Sequence, residues 1–203
     1  TGGDLLVIEG VMGLFDGAAD GTPSSTADVA ALLGAPVLLV VDAAGTGRSV
    51  AATVHGFATF DPRIRVGGVI LNRVSTESHE RMLREALAPT GVPVLGALRR
   101  DDRLTWRDRH LGLVPVIERR HELARNLEVL AAAIADQIDL AGVRALAGTA
   151  SRIPVPTPGG DERPSGAGQP AQVRIAVAAG RAFSFRYPDN LEILQQAGAE
   201  LVP

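Results

Sequence analysis

The chain has 203 residues, 46% of them hydrophobic and 21% charged, and a formal net charge of -3; this is a globular composition, long enough for one α/β core and a smaller second unit, with no basis for a nucleic-acid or anionic-membrane surface. It contains no cysteine, which excludes a disulfide framework, a thiolate metal site and a thiol nucleophile within these residues. No apolar run approaches the roughly 18 to 20 residues of a membrane span and no signal peptide opens the chain, so a cytoplasmic location is expected.

In chain order, Leu5 to Ile8 is an uninterrupted apolar run, too short for an ordinary helix and too apolar for a half-exposed strand. It is expected to be a central strand covered on both faces. The run ends on Glu9, and Gly10, Gly13 and Gly17 then permit a sharp turn and a close approach to a ligand. Glu9 and Asp16 are thus expected at the carboxyl edge of the sheet, where open α/β folds bind ligands.

Ser24, Ser25 and Thr26 supply hydroxyl caps for a helix closed by Gly34 and Pro36. Pro36 to Asp42 is a β-branched run that again finishes on a carboxylate, and a helix from about Ser49 to Phe60 follows. A third strand, Val66 to Leu71, ends at Asn72-Arg73; a charged helix spans Glu77 to Leu87, and a fourth strand Val92 to Leu98. Strand, turn and helix recur at a spacing that argues for parallel βαβ units. Glu9, Asp42 and Asn72 are expected together at one edge.

From Arg99 to Arg109 the sequence is charged and contains Trp106, which suits either a site-lining loop or a solvated face. His110 to Pro115 suits a strand or a pocket wall, and helical spacing runs from Glu118 to Ile138 and again from Leu140 to Leu146. Residues 147–172, rich in Pro and Gly, form a linker by composition. Val173 to Ala178 looks like a strand and Leu191 to Gln196 a helix, the opening of a second domain too short to bury its own core. Thr1 stands where an initiator Met would, and Leu201-Val202-Pro203 falls where another strand would begin, so an internal piece of a longer protein is expected.

A carboxylate such as Glu9, at a strand end before glycines, can hold Mg²⁺ beside nucleotide phosphates, or merely cap the turn. Asp16, Asp28 and Asp42 could be substrate-side groups, but short loops and helix starts attract Asp as a cap, and capping is the reading the residues favour. Asn72 offers both a donor and an acceptor and suits the edge of an adenine ring or a turn. His55, His79, His110 and His121 show no metal-ligand spacing. No Walker A sequence occurs within these residues, so a nucleotide domain would have its phosphate loop before Thr1.

The ordered set Glu9 to Gly17, Ser25-Thr26-Ala27, Pro36 to Ala43, Gly68 to Val74, Pro93 to Gly96 and Arg109 to Pro115 resembles the cobyrinate or hydrogenobyrinate a,c-diamide synthases. Arg174 to Ala178 with Ala182 to Leu191 resembles the start of their glutaminase domain. The resemblance implies an α/β fold: a partial P-loop NTPase-like parallel sheet with helices on both faces, similar to dethiobiotin synthetase and lacking its first strand and phosphate loop. It would be followed by the first βα unit of a class I glutamine amidotransferase-like domain. The implied domains are residues 1–146, the linker 147–172 and residues 173–203. ATP and Mg²⁺ would activate a corrinoid carboxylate as an acyl phosphate, and ammonia from glutamine would displace the phosphate.

By this resemblance Glu9 matches the Mg²⁺-binding glutamate, and Asn72 with Arg73 matches the adenine contact. Gly10 and Gly13 would line the phosphate and substrate junction, and Asp16, Ser25 and Thr26 the corrinoid side. No catalytic residue is expected here, since the glutaminase cysteine has no counterpart, and these residues alone should be catalytically silent. The implied partners are the corrinoid and glutamine or ammonia, with a homodimer admitted and with no nucleic acid and no membrane. Rival assignments are cobyric acid synthase, stand-alone dethiobiotin synthetase and, from another class, a partitioning or septum-positioning ATPase.

Overall fold

The computed structural model describes residues 5–19, 21–101, 103, 120–152, 173–180, 183 and 186–202. The chain divides into two compact units, one made of Thr1–Thr105 with Asn126–Ile153 and the other of Trp106–Arg125 with Pro154–Pro203. In the first unit the elements run α1 (Thr26–Leu33), β1 (Val37–Asp42), α2 (Val50–Thr59), β2 (Val66–Val74), α3 (Glu77–Leu87), a 3-10 turn (Ala88–Thr90) and β3 (Val94–Arg99). There follow α4 (Arg120–Gln137), which enters this unit at Asn126, and α5 (Leu140–Ala147).

Local chemistry explains the helix limits. Thr76 caps α3 by accepting the His79 N–H, Glu77 and Glu80 sit in its first turn and Arg84 in its last, each sign matched to the nearer end of the helix dipole. Gly34 ends α1 in the left-handed conformation at φ 57°, where its N–H reaches the carbonyls of Ala30 and Ala31.

The three strands form a parallel sheet in the order β1-β2-β3. Their β-branched and leucine side chains meet α2 and α3 in one core: Val69, Leu71 and Val74 from β2, Val50 and Val54 from α2, and Leu83 and Leu87 from α3, all fully buried. Each such side chain contributes roughly 1.5 to 3 kcal/mol. On β3, Gly96 bridges to Ile138, and a Cβ at that position would lie 2.8 Å from the Gln137 carbonyl oxygen. The glycine therefore lets the backbone after α4 come down onto the sheet. The expected βαβ succession and parallel pairing are both present.

Leu5 to Ile8 departs from expectation. It is not a strand, and Leu6 and Val7 are each 80% exposed, Leu5 43% and Ile8 51%. A buried central strand needs a hydrogen-bonded neighbour and a layer on each face, and among the described residues no strand pairs with this run. Apolar composition supplies neither. Glu9 consequently follows a coil, not a strand end.

In the second unit β4 (Val173–Ala176) and β5 (Ala199–Val202) pair in parallel around α6 (Pro188–Gln196), with Arg174 and Glu200 opposite one another and joined by an ion pair of 3.3 Å. Pro188 stands in the first turn of α6, where its missing N–H removes no helical bond. The charged stretch at 102 and 104–109, the His110-to-Pro115 segment and the linker over 153–172 lie outside the described residues.

Candidate functional site

The glycine-rich loop is folded against the start of α1. Asp16 donates its N–H to the Gly13 carbonyl at 3.0 Å, and Ala27, in the first turn of the helix, donates to the Leu14 carbonyl at 2.9 Å. A Cβ at Gly10 would lie 2.8 Å from both Cγ2 and Oγ1 of Thr26, and one at Gly13 would run into the Asp16 carboxylate. At Gly10 the short β-branched Thr26 leaves no room for a side chain, whereas at Gly13 a side chain would require the exposed Asp16 carboxylate to move. Leu14 is buried with Ala27 and Ile64, and Phe15 stacks on Phe57 with centroids 5.8 Å apart and meets Phe60 at 4.7 Å. The fold brings Gly10 to Thr26 and Gly13 to Asp16, while Glu9 and Asp16 remain exposed. Among the described residues no group of three or more His, Cys, Asp or Glu side chains could hold a metal.

Ser25 and Asp28 form a capping box on α1. The Ser25 hydroxyl donates to Asp28 Oδ2 at 2.7 Å and accepts the Asp28 N–H at 3.1 Å, while the carboxylate also accepts the N–H groups of Ser24 and Ser25 at 3.0 Å. Arg63 reaches the other oxygen at 2.9 Å. These donors, led by the Ser25 hydroxyl and N–H, hold the Asp28 carboxyl down to about 2. A carboxylate depressed in the folded state adds stability that is present above its unfolded value near 3.8 and is lost as pH falls towards 2. Asp28→Asn is therefore expected to flatten the acid limb of a stability-against-pH curve in that window, read by thermal melts. Ser25→Ala should cost about 1 kcal/mol at neutral pH.

Asp42 and Asn72 are register partners at the carboxyl ends of β1 and β2, as expected from the sequence. Their immediate chemistry was not legible there. β2 does not stop at Leu71 but continues to Val74 through an irregularity: Leu71 pairs with Ala97 and Val74 with Arg99, so two residues, Asn72 and Arg73, oppose the single Leu98. This is a β-bulge, uncommon between parallel strands. Arg73 lies in it at φ 59°, alone among described non-glycine residues in having a positive φ, a conformation that costs about 1 to 2 kcal/mol for an L-residue.

Arg73 spans back to the neighbouring strand. Its Nε donates to Asp42 Oδ1 at 2.9 Å and its Nη2 to Oδ2, while the Ala44 N–H donates to Oδ1 at 3.0 Å. The Arg73 hydrogen bonds, and then that of Ala44, hold the Asp42 carboxyl below the usual carboxylate range. Arg73 also donates its own N–H to Asn72 Oδ1 at 2.9 Å, and the Asn72 carbonyl accepts the Ala43 N–H at 2.8 Å. With the amide oxygen fixed by that N–H, the Asn72 NH₂ has no partner among the described residues and offers two donors. His79 is a packing residue: its Nε2 donates to the Thr46 carbonyl at 2.7 Å, and Nδ1 accepts from Ser75 Oγ at 2.9 Å.

The chain is similar to hydrogenobyrinate a,c-diamide synthase of Streptomyces coelicolor, 45% identical over 99% of this chain and 47% of that protein. It is 51% identical to the hydrogenobyrinate a,c-diamide synthase of Mycobacterium tuberculosis H37Rv, over 100% of this chain and 45% of that one. Cobyrinate a,c-diamide synthase of Gloeobacter violaceus is 47% identical over 98% of this chain and 43% of its own length. The chain thus spans about half the length of the curated relatives it matches. No solved structure gives a significant match, and no helix among the described residues is long and apolar enough to cross a membrane. The profile of a family described as an AAA domain matches residues 2–108, more than half of the sequence, and the chain belongs to the AAA domain family.

Proposed function

We propose that these residues are the nucleotide-handling part, and the opening of the glutaminase part, of an ATP- and glutamine-dependent ligase. The enzyme would convert the a and c side-chain carboxylates of cobyrinate or hydrogenobyrinate to carboxamides. The observation that carries this is the 45 to 51% identity to hydrogenobyrinate a,c-diamide synthases across essentially the whole chain. No relative named above is a partitioning ATPase or a cobyric acid synthase. The proposed division is an ATP-dependent domain over residues 1–146, a linker over 147–172 and an amidotransferase domain beginning at 173, in a cytoplasmic enzyme.

The chemistry follows from the leaving group. A carboxylate is a poor acyl donor, so ATP phosphorylates it and ammonia from glutamine displaces phosphate. Asn72 is assigned to the adenine, with Arg73 beside it, its guanidinium engaged by Asp42, acting through the Asn72 carboxamide; Gly10 and Gly13 are assigned to the approach of phosphate and substrate, and Asp16, Ser25 and Thr26 to the corrinoid side. The Ser25 hydroxyl is already committed to the cap of α1, which makes its contribution one of shape.

Mg²⁺ is bound in such sites through one or two carboxylates, waters and substrate phosphates, not by an all-protein cage. A single exposed carboxylate with no competing partner among the described residues, as at Glu9, fits that donor set. The ion would supply charge neutralisation during phosphoryl transfer. The test is an assay of the full-length enzyme with ATP, glutamine and each macrocycle, following the mass change at every amidation. Two successive amidations are expected, at the a and c positions; amidation confined to other side chains would remove the assignment.

A further inference from the structure

We propose that Asp42 is the positioning residue of the nucleotide-base subsite, gripping Arg73 across the sheet so that the bulge of β2 presents the Asn72 carboxamide to a purine in one fixed orientation. This rests on the assignment of Asn72 to the base and deepens it.

Several independent features of the first unit converge on the point. The bulge falls on Asn72 and Arg73, and bulges of this kind re-aim side chains beside binding sites. The left-handed position within it is filled by arginine, although glycine would adopt that backbone without strain. A strained backbone persists where its surroundings over-determine it, and Asp42 engages Arg73 at both Nε and Nη2 from the adjacent strand.

Ion pairs this exposed add little to global stability, so a purely stabilising role accounts poorly for a two-pronged pair attached to a strained residue. Its local effect is different. The Arg73 N–H that the bulge turns towards Asn72 holds the amide oxygen, which settles which end of the carboxamide donates. An asparagine oriented in this way donates to a purine ring nitrogen, with one oxygen lone pair remaining for an exocyclic amine. Asp42 does not itself touch the nucleotide; it acts through Arg73 and Asn72.

The test uses the full-length enzyme and two probes, Mg-ATP and Mg-tripolyphosphate, which carries the phosphates without a base. Asp42→Asn removes the charge but keeps the shape. It is expected to weaken ATP binding about tenfold and to leave tripolyphosphate binding and the melting temperature unchanged. Arg73→Gly, which relieves the left-handed strain, should lose ATP affinity in the same way without loss of stability. In a double-mutant cycle Asp42→Asn should add nothing once Asn72→Ala is present. Equal weakening of both probes, or full additivity with Asn72→Ala, would overturn the positioning role while leaving the base assignment standing. If Asn72→Ala itself leaves ATP binding untouched, the base assignment fails and the positioning role with it.

Discussion

Glu9→Gln in the full-length enzyme is expected to lower ATP-dependent amidation by at least about 100-fold while glutamine hydrolysis by the second domain continues. The substitution keeps the volume and shape of the side chain but removes its charge and exchanges one acceptor oxygen for an NH₂ donor, so it removes what a carboxylate contributes beside a cation and phosphates. It should not act through folding. Glu9 is exposed and has no partner among the described residues, and surface substitutions of that kind change stability by about 0.5 kcal/mol at most. Unchanged thermal melts, a large fall in amidation and an intact glutaminase rate form the expected signature. A wild-type amidation rate would remove Glu9 from the site.

Leu71→Ala is expected to destabilise the protein by about 3 kcal/mol, within the range of 2 to 5 for a buried leucine, measured by denaturant titration with an unchanged slope. Leu71 is 0% exposed on the middle strand of β1-β2-β3, opposite Val41 on one side and Ala97 on the other. The neighbouring helices meet it with Val50, Val54, Leu83 and Leu87 in the same core, so the space left by truncation has little means of closing. Val40→Ala on the adjacent strand, where Val40 is 59% exposed, should cost less than about 0.5 kcal/mol. Comparable losses at the two positions would contradict the burial pattern of the sheet.

The repeating units were legible because their signals are local. Glu77 to Leu87 is a helix over the residues expected, and Val37–Asp42 and Val94–Arg99 match the expected strands within two residues at each end, since β-branched runs and capping residues act over a few positions. Ser25 and Asp28 were legible as caps for the same reason. The bulge at Asn72-Arg73 was not. Its left-handed residue is arginine where the usual sign is glycine, and its partner Asp42 lies 31 positions away. Leu5 to Ile8 misled for the opposite reason: composition reports how apolar a segment is but not whether a neighbour exists to pair with it.

Leu14 and Phe15 reach inward while the residues before and after them in the loop stay exposed. Together with Gly10 against Thr26 and the Leu14 carbonyl on the Ala27 N–H, these two side chains anchor the loop, with Glu9 before the anchored stretch and Asp16 directly after it. Repacking around Phe57 and Phe60 would therefore reach the loop through Phe15, and first of all its neighbour Asp16. On the proposed assignment of Asp16, conservative substitutions of these rings would then register as lost amidation in a protein that is still folded.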